Sequence, residues 1–167
     1  MRALLIGLVL ALIAAPALAF DDPKALVTAI YAPYQTPGQA AQQDPAQYYS
    51  ERLRGLVSGH AAKAAADLLS SSNVGTDTGD VAPVLGFNPF INGQQSLLMD
   101  LSIGEPVVVS DKAMVTVSFH NFDRSTLLAL SLVKTAGGWA VDDVASLGQG
   151  EHWLYSWLLQ YDPFGVD

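Results

Sequence analysis

The sequence predicts an α+β domain, with helices packed on one face of a curved antiparallel sheet and a cone-shaped hollow between them. Three observations carry this expectation. Apolar residues recur at helical spacing through the first half of the chain and alternate at strand spacing through the second. Two turn signals, Ser110-Asp111-Lys112 and Ala136-Gly137-Gly138, separate the alternating runs and imply hairpins. No internal repeat or low-complexity tract interrupts the order of helices first and strands second, which is that of a segregated α+β domain.

The chain opens on an export signal. Arg2 precedes an uncharged run from Ala3 to Ala15, Pro16 breaks it, and Ala17-Leu18-Ala19 supplies a small-x-small cleavage site. Residues 1–19 are therefore expected to leave as a signal peptide, with cleavage after Ala19. A retained membrane anchor is the alternative, because about 18–20 apolar residues can span a bilayer. Pro16 and the small-residue site favour cleavage. The chain has no cysteine, so no lipid can be attached there and no disulfide can brace the product. The expectation is an exported, periplasmic protein without a stable membrane anchor, folded as one domain over residues 20–167.

Within that domain, Asp21-Asp22-Pro23 reads as a helix start, with an Asp cap and Pro at the first helical position. Leu26, Val27, Ile30, Tyr31 and Tyr34 then share a face, and Pro33 and Pro37-Gly38 end the helix. Residues 35–43 form a polar loop. Asp44-Pro45 repeats the start signal ahead of a long helix over Ala46 to Leu69. Its stripe is Leu53, Leu56, Val57, His60, Ala61, Ala64 and Leu68, and Gly55 and Gly59 allow close packing or a break. Ser70 to Gly86, rich in Ser, Gly, Asp and Thr, is an irregular connection. Strands follow at Ser96–Ile103, Glu105–Val109, Ala113–Phe122, Thr126–Lys134 and Trp139–Ala145. In the first of these, Leu97, Met99, Leu101 and Ile103 face one way. In the third, Val115, Val117 and Phe119 oppose Thr116, Ser118 and His120. Glu151–Tyr161 reads as a closing helix that presents Trp153, Leu154, Trp157, Leu158 and Tyr161.

The formal net charge is −8, and loss of Arg2 with the signal makes it −9. An acidic domain repels nucleic acid and anionic membrane surfaces, which excludes both as expected partners. It leaves a basic protein partner open.

Three segments together resemble a known family. They are Gly86-Phe87-Asn88-Pro89-Phe90-Ile91-Asn92-Gly93-Gln94, Gly138-Trp139-Ala140-Val141-Asp142-Asp143-Val144, and Trp153-Leu154-Tyr155-Ser156-Trp157-Leu158-Leu159. In this order they resemble the bacterial family called domain of unknown function 3828. Its members are typically exported and are similar to the nuclear-transport-factor-2-like (cystatin-like) cone fold. The resemblance spans about residues 25–159 and implies that fold and export, but no activity. The family pattern tends to have Asp where this chain has Asn88, and often where it has Gln95. Any role that needs charge at those positions is not carried over.

The candidate chemistry is sparse. His60, His120 and His152 have no metal-ligand spacing, and adjacent Glu151 and His152 diverge on a helix, so no metal site is expected. No nucleophile elbow, phosphate loop or other cofactor motif is present, so no cofactor is expected. His60 reads either as a proton carrier inside the cone or as a core histidine bonded to a backbone carbonyl or a tyrosine. Asp142 and Asp143 are successive strand residues and should face opposite sides of the sheet. One of them near a buried surface would have its pKa raised and serve as a base, or would bond backbone donors or a tyrosine. Trp139, like the other large aromatics, lines a ligand hollow or packs the core. In Asn88-Pro89-Phe90, Asn88 caps a turn and Phe90 plugs the cone; alternatively Asn88, Asn92 and Gln94 form a lip of neutral hydrogen-bonding groups.

With no converged catalytic set beside a fold that makes a hollow, the expected function is a non-catalytic binding module for a protein or small-molecule ligand, as monomer or homodimer. Its ligand-binding candidates are Asn88, Phe90, Gln94 and Trp139. The alternatives are an acid–base hydrolase or isomerase using His60, Asp142 or Asp143, and a structural subunit that pairs through its sheet.

Overall fold

The computed structural model describes residues 19–35, 44–71, 87–150 and 152–161. The expectations for the signal at 1–18, for Pro37-Gly38 and for most of the connection up to Gly86 lie outside the described residues. Helix α1 spans Pro23–Tyr31 and runs into a short 3-10 turn at Ala32–Gln35. A second 3-10 turn, Pro45–Tyr48, precedes helix α2 at Glu51–Ser71. The strands are β1 Leu98–Ile103, β2 Val107–Val109, β3 Lys112–Asn121, β4 Arg124–Thr135, β5 Gly138–Ser146 and β6 Trp153–Leu154, and helix α3 at Tyr155–Tyr161 closes the order. The sheet is open and antiparallel in the order β1-β3-β4-β5-β6, with β2 sharing the outer edge of β3. The helices pack against it, so the molecule is an α+β domain of the expected class.

Helix α1 forms as its sequence dictates. The Asp22 carboxylate accepts from the Ala25 amide at 2.7 Å and Pro23 occupies the first turn. Leu26, Val27, Ile30 and Tyr31 are at most 1% exposed. They meet Val115, Val117 and Phe119 of β3 and Leu128, Leu130 and Leu132 of β4 in the main apolar core. Strand β3 alternates between buried and exposed residues along its whole length, as expected.

Four elements depart from the expectation, each for a local reason. The Asp44 carboxylate caps the second 3-10 turn rather than the long helix. The chain then extends through Tyr49 and Ser50, where the Ser50 amide bonds the Val141 carbonyl at 2.7 Å, and α2 starts only at Glu51. Within α2, Gly55 and Gly59 do not break the helix, and no described residue from another element lies within 4 Å of where their Cβ atoms would be. Strand β1 carries a bulge between Met99 and Ser102, with Asp100 at φ +55°. The bulge reverses the alternation, so Leu98, Leu101 and Ile103 turn inward while Leu97 and Met99 are exposed. Finally, α3 starts at Tyr155 instead of Glu151. Trp153 and Leu154 are a short strand, and the buried face is Tyr155, Leu158 and Leu159, leaving Trp157 and Tyr161 exposed.

Aromatic side chains fill the space between helices and sheet. Phe90 is 1% exposed and packs against the rings of Tyr48 and Tyr49, with centroids 6.4 and 5.8 Å away. Tyr31 packs on Phe119 at 5.9 Å, and Phe87 stands edge-on to Trp153 at 4.9 Å. The buried phenols have partners. Tyr31 donates to the Phe90 carbonyl at 2.8 Å, Tyr34 accepts from Asn88 at 2.7 Å, and the Tyr49 and Tyr155 hydroxyls bond each other. Burial pushes the pKa of all four upward. Among the described residues no buried side-chain N or O lacks a partner, and no helix is long and apolar enough to cross a membrane.

Candidate functional site

A bulge in β5 decides where the two adjacent carboxylates go. Ser131 of β4 pairs with Asp143 and the next residue, Leu132, pairs with Val141, so Asp142 is the extra residue. Strict alternation would separate Asp142 and Asp143 onto opposite faces. The bulge instead brings both to Arg52 in the first turn of α2, which corrects the expectation of divergence. Arg52 Nε lies 3.0 and 3.1 Å from the two Asp142 oxygens, and its Nη2 is 3.8 Å from Asp143 Oδ2. Arg52 also donates to the Asp142 carbonyl.

Each carboxylate is committed to a helix start. Ser50 Oγ donates to Asp142 at 2.7 Å and accepts from the Leu53 amide at 3.1 Å, which makes Ser50 the cap of α2. Burial opposes charge on Asp142. The bonds from Arg52 and Ser50 and the nearby charges of Arg52 and Lys112 outweigh it and hold the carboxyl below its ordinary value. Asp143, 8% exposed, accepts from the Val144 amide at 2.9 Å, from the Ser156 amide at 3.0 Å and from the Ser156 hydroxyl. It thereby caps α3 from another element.

His60 serves the opposite end of α3. Its Nδ1 lies 3.1 Å from the Leu159 carbonyl, an acceptor, so Nδ1 carries a proton and donates. Leu159 is in the last turn, where carbonyls lack helical partners. His60 is eight residues beyond Arg52 on α2, about 12 Å along the axis. The structure therefore does not bring His60 together with the Asp142–Asp143 pair. The two carboxylates and the imidazole tie α2, α3 and β5 to one another.

The Asn88 segment is a closed turn. Its amide and carbonyl both pair with Gly93, its Oδ1 accepts from Phe90 N at 3.0 Å, and its Nδ2 holds Tyr34. Phe90 and Trp139 (6% exposed) are core residues, whereas Gln94 is exposed. Asn92, at φ +50°, accepts from Trp153 Nε1 at 3.2 Å.

Beside this turn lies a surface groove of about 300 Å³, lined by Asn92, Gly93, Gln95, Asn121, Phe122, Asp123, Arg124 and Thr126. Asn121 builds it. Its Oδ1 accepts from Leu97 N at 2.9 Å and its Nδ2 donates to the Ile91 and Gln95 carbonyls at 3.1 and 3.0 Å, which fastens the Phe87–Gln95 segment to the end of β3. Phe122, at φ +56°, starts the tight turn into β4 and is 44% exposed. Arg124 has no ion-pair partner among the described residues. Chemically, the groove offers amide groups, one aromatic face, the Asp123 carboxylate and one cation, Arg124, that is unpaired among the described residues. The sequence places Asn88, Asn92 and Gln94 at the lip of the cone hollow; of these only Asn92 lines this groove, and Asn121, Phe122 and Arg124 were not foreseen. The missed signal was the two-residue break Phe122-Asp123 between two alternating runs.

No known family model, curated protein or solved structure matches the chain. Among the described residues no group of three or more His, Cys, Asp or Glu side chains is placed to hold a metal ion.

Proposed function

We propose that the chain is an exported, non-catalytic binding module of the cell envelope, related to the domain of unknown function 3828 family, that takes a small ligand or peptide end bearing a carboxylate in the Asn92–Arg124 groove. The groove carries this reading. It sets the Arg124 guanidinium, which has no ion-pair partner among the described residues, beside amide groups, an exposed ring and the Asp123 carboxylate, and a ligand carboxylate pairs well with such a cation. The acid–base candidates Asp142, Asp143 and His60 are engaged as helix ties, and the cone is packed with rings.

The test is a titration of isotope-labelled residues 20–167 with acetate, benzoate and short peptides of free C-terminus, followed by amide chemical shifts. Shifts that saturate and cluster at Asn92, Gln95, Phe122 and Arg124, and that vanish in Arg124→Ala, support the reading. Shifts clustered elsewhere, or none at millimolar ligand, overturn it.

A sheet-pairing role keeps one observation in its favour. The three-residue edge strand β2, which pairs only with β3 among the described strands, exposes Val107, Val108 and Val109 at 61, 51 and 69%, a short apolar edge on which another strand could add. Sedimentation of residues 20–167 across concentration tests it, since a persistent monomer removes that role.

A further inference from the structure

The segment that joins the expected cleavage site to α1 is built into the fold from its first residue. Ala19 is exposed. Phe20 is half-buried, its carbonyl accepts from the Trp139 amide at 2.8 Å, and its ring lies 6.3 Å from that of Tyr48. Asp21 follows exposed, Asp22 caps α1 and Pro23 is buried. On the β5 side, Gly138 has φ +102°, and a Cβ there would sit 2.7 Å from both the N and the O of Phe20 and 3.1 Å from its C. No real Cβ tolerates that approach. Gly138 therefore serves the hairpin turn and also opens the slot in which the Phe20 backbone lies.

A peptidase must hold residues on both sides of the bond it cuts, drawn out from the protein surface. At Ala19–Phe20 the residues after the bond are committed. Phe20 is pinned to Trp139 and seated on Gly138, and Asp22 and Pro23 belong to the start of α1.

We propose that folding seals the processing site: signal peptidase removes residues 1–19 while Phe20 is still undocked, and a chain that folds first keeps its signal. In the cut, water adds across the Ala19–Phe20 amide, leaving a carboxylate on Ala19 and an ammonium on Phe20. The mature N-terminus is then the residue that docks on β5. This inference rests on the export reading for its cleavage site and on the Phe20 geometry for the order of events.

The full-length chain in detergent micelles is given to purified signal peptidase in two ways, refolded beforehand or diluted directly from urea. Product is followed by intact mass. The urea arm is expected to yield a chain beginning at Phe20. The prefolded arm should be slower by about tenfold or more, because cleavage follows the population in which Phe20 is released. Equal rates in the two arms overturn the proposal. Gly138→Ala should unseat Phe20 and bring the prefolded arm up to the urea rate, with circular dichroism reporting that the domain is intact. Continued protection in a folded Gly138→Ala chain also overturns it. A measurement without the signal separates the two readings. Hydrogen exchange at the Trp139 amide should be slow in residues 20–167 and fast in residues 21–167, and fast exchange in both removes the docking on which the proposal stands. A slow Trp139 amide together with no Phe20 product in the urea arm sinks the export reading, and with it the order of events, while leaving the docking intact.

Discussion

Helices α1 and α2 are held by different physics. The nine residues of α1 bury Leu26, Val27, Ile30 and Tyr31 almost completely. The 21 residues of α2 fully bury Leu53, while Leu56, Val57, His60, Ala61 and Ala64 are half-buried. What fixes α2 is a polar clamp at its first turn, where Ser50 and Arg52 meet the bulged Asp142, and a bond from His60 to the end of α3. Among the described side chains, the shorter helix is anchored by apolar area and the longer one, beyond Leu53, by a few directed bonds. Length is thus a poor guide to anchorage. Burial contributes in proportion to area, whereas polar bonds trade against water and leave little net.

The largest effect should come from the α1 side. Ile30→Ala removes a side chain with no exposure from the centre of the core. Loss of about 2–5 kcal/mol is expected, the range for truncating buried Ile or Leu. Urea unfolding followed by circular dichroism and by tryptophan fluorescence should shift together. A loss well under that range means that α1 is not the main anchor.

Next in size is Asp143→Ala. It strands the Val144 and Ser156 amides and the Ser156 hydroxyl, with a cost of about 1–3 kcal/mol for donors left unpaired. Seven residues are too few to hold a helix without tertiary help, so α3 should loosen first. Its amides should exchange faster with hydrogen exchange in α1 nearly unchanged. Equal acceleration in α1 and α3 would mean that Asp143 supports the whole core and not the one helix.

The difference between the helices also explains what the sequence made legible. The face of α1 and the alternation of β3 follow from unbroken periodicity, and there the expected and observed faces agree residue by residue. Failures cluster where one residue resets the period. Asp100 in β1 and Asp142 in β5 each insert a step into an otherwise plausible alternation, and nothing in the residue type separates a bulged Asp from an exposed one. The start of α2 was misplaced because Asp44-Pro45 is a true cap that serves a 3-10 turn, while Ser50, three residues before Leu53, carried the real helix start. For the candidate site, Asn88 and Asn92 lay in a segment marked by Pro and Gly. The pairing of Arg52 with Asp142, 90 residues apart, is a product of topology with no local signature.

A smaller effect should come from the exposed side of α2. Gly59→Ala adds a methyl group where no described neighbour lies within 4 Å. Replacing Gly in an exposed helix interior should then stabilise by about 0.5–1 kcal/mol, since Ala loses less backbone entropy. The thermal midpoint of residues 20–167 reports it. A fall in that midpoint would show that α2 packs closely through its glycines and that the contrast with α1 is overstated.

The smallest effect is the charge in the clamp, and its sign with pH is defined. The Asp142 pKa in the fold lies below its ordinary value of 3.8. The unfolded chain therefore binds the proton first, and the clamp's charge contribution is complete above the ordinary value and lost as pH falls through the folded one. The side chains of Arg52 and Asp142 are 48 and 31% exposed, so solvent screening holds the contribution below about 1 kcal/mol. Asp142→Asn keeps an acceptor for Ser50 and Arg52 but abolishes the charge. The urea midpoint of the wild-type chain should exceed that of the variant at pH 7, and the gap should close as the pH falls below about 4. A gap that persists unchanged into acid would assign the clamp to hydrogen-bond geometry alone. Its closure would show that α2, unlike α1, is held in part by an ion pair, and added salt should then narrow the gap at pH 7 while leaving the cost of Ile30→Ala unaltered.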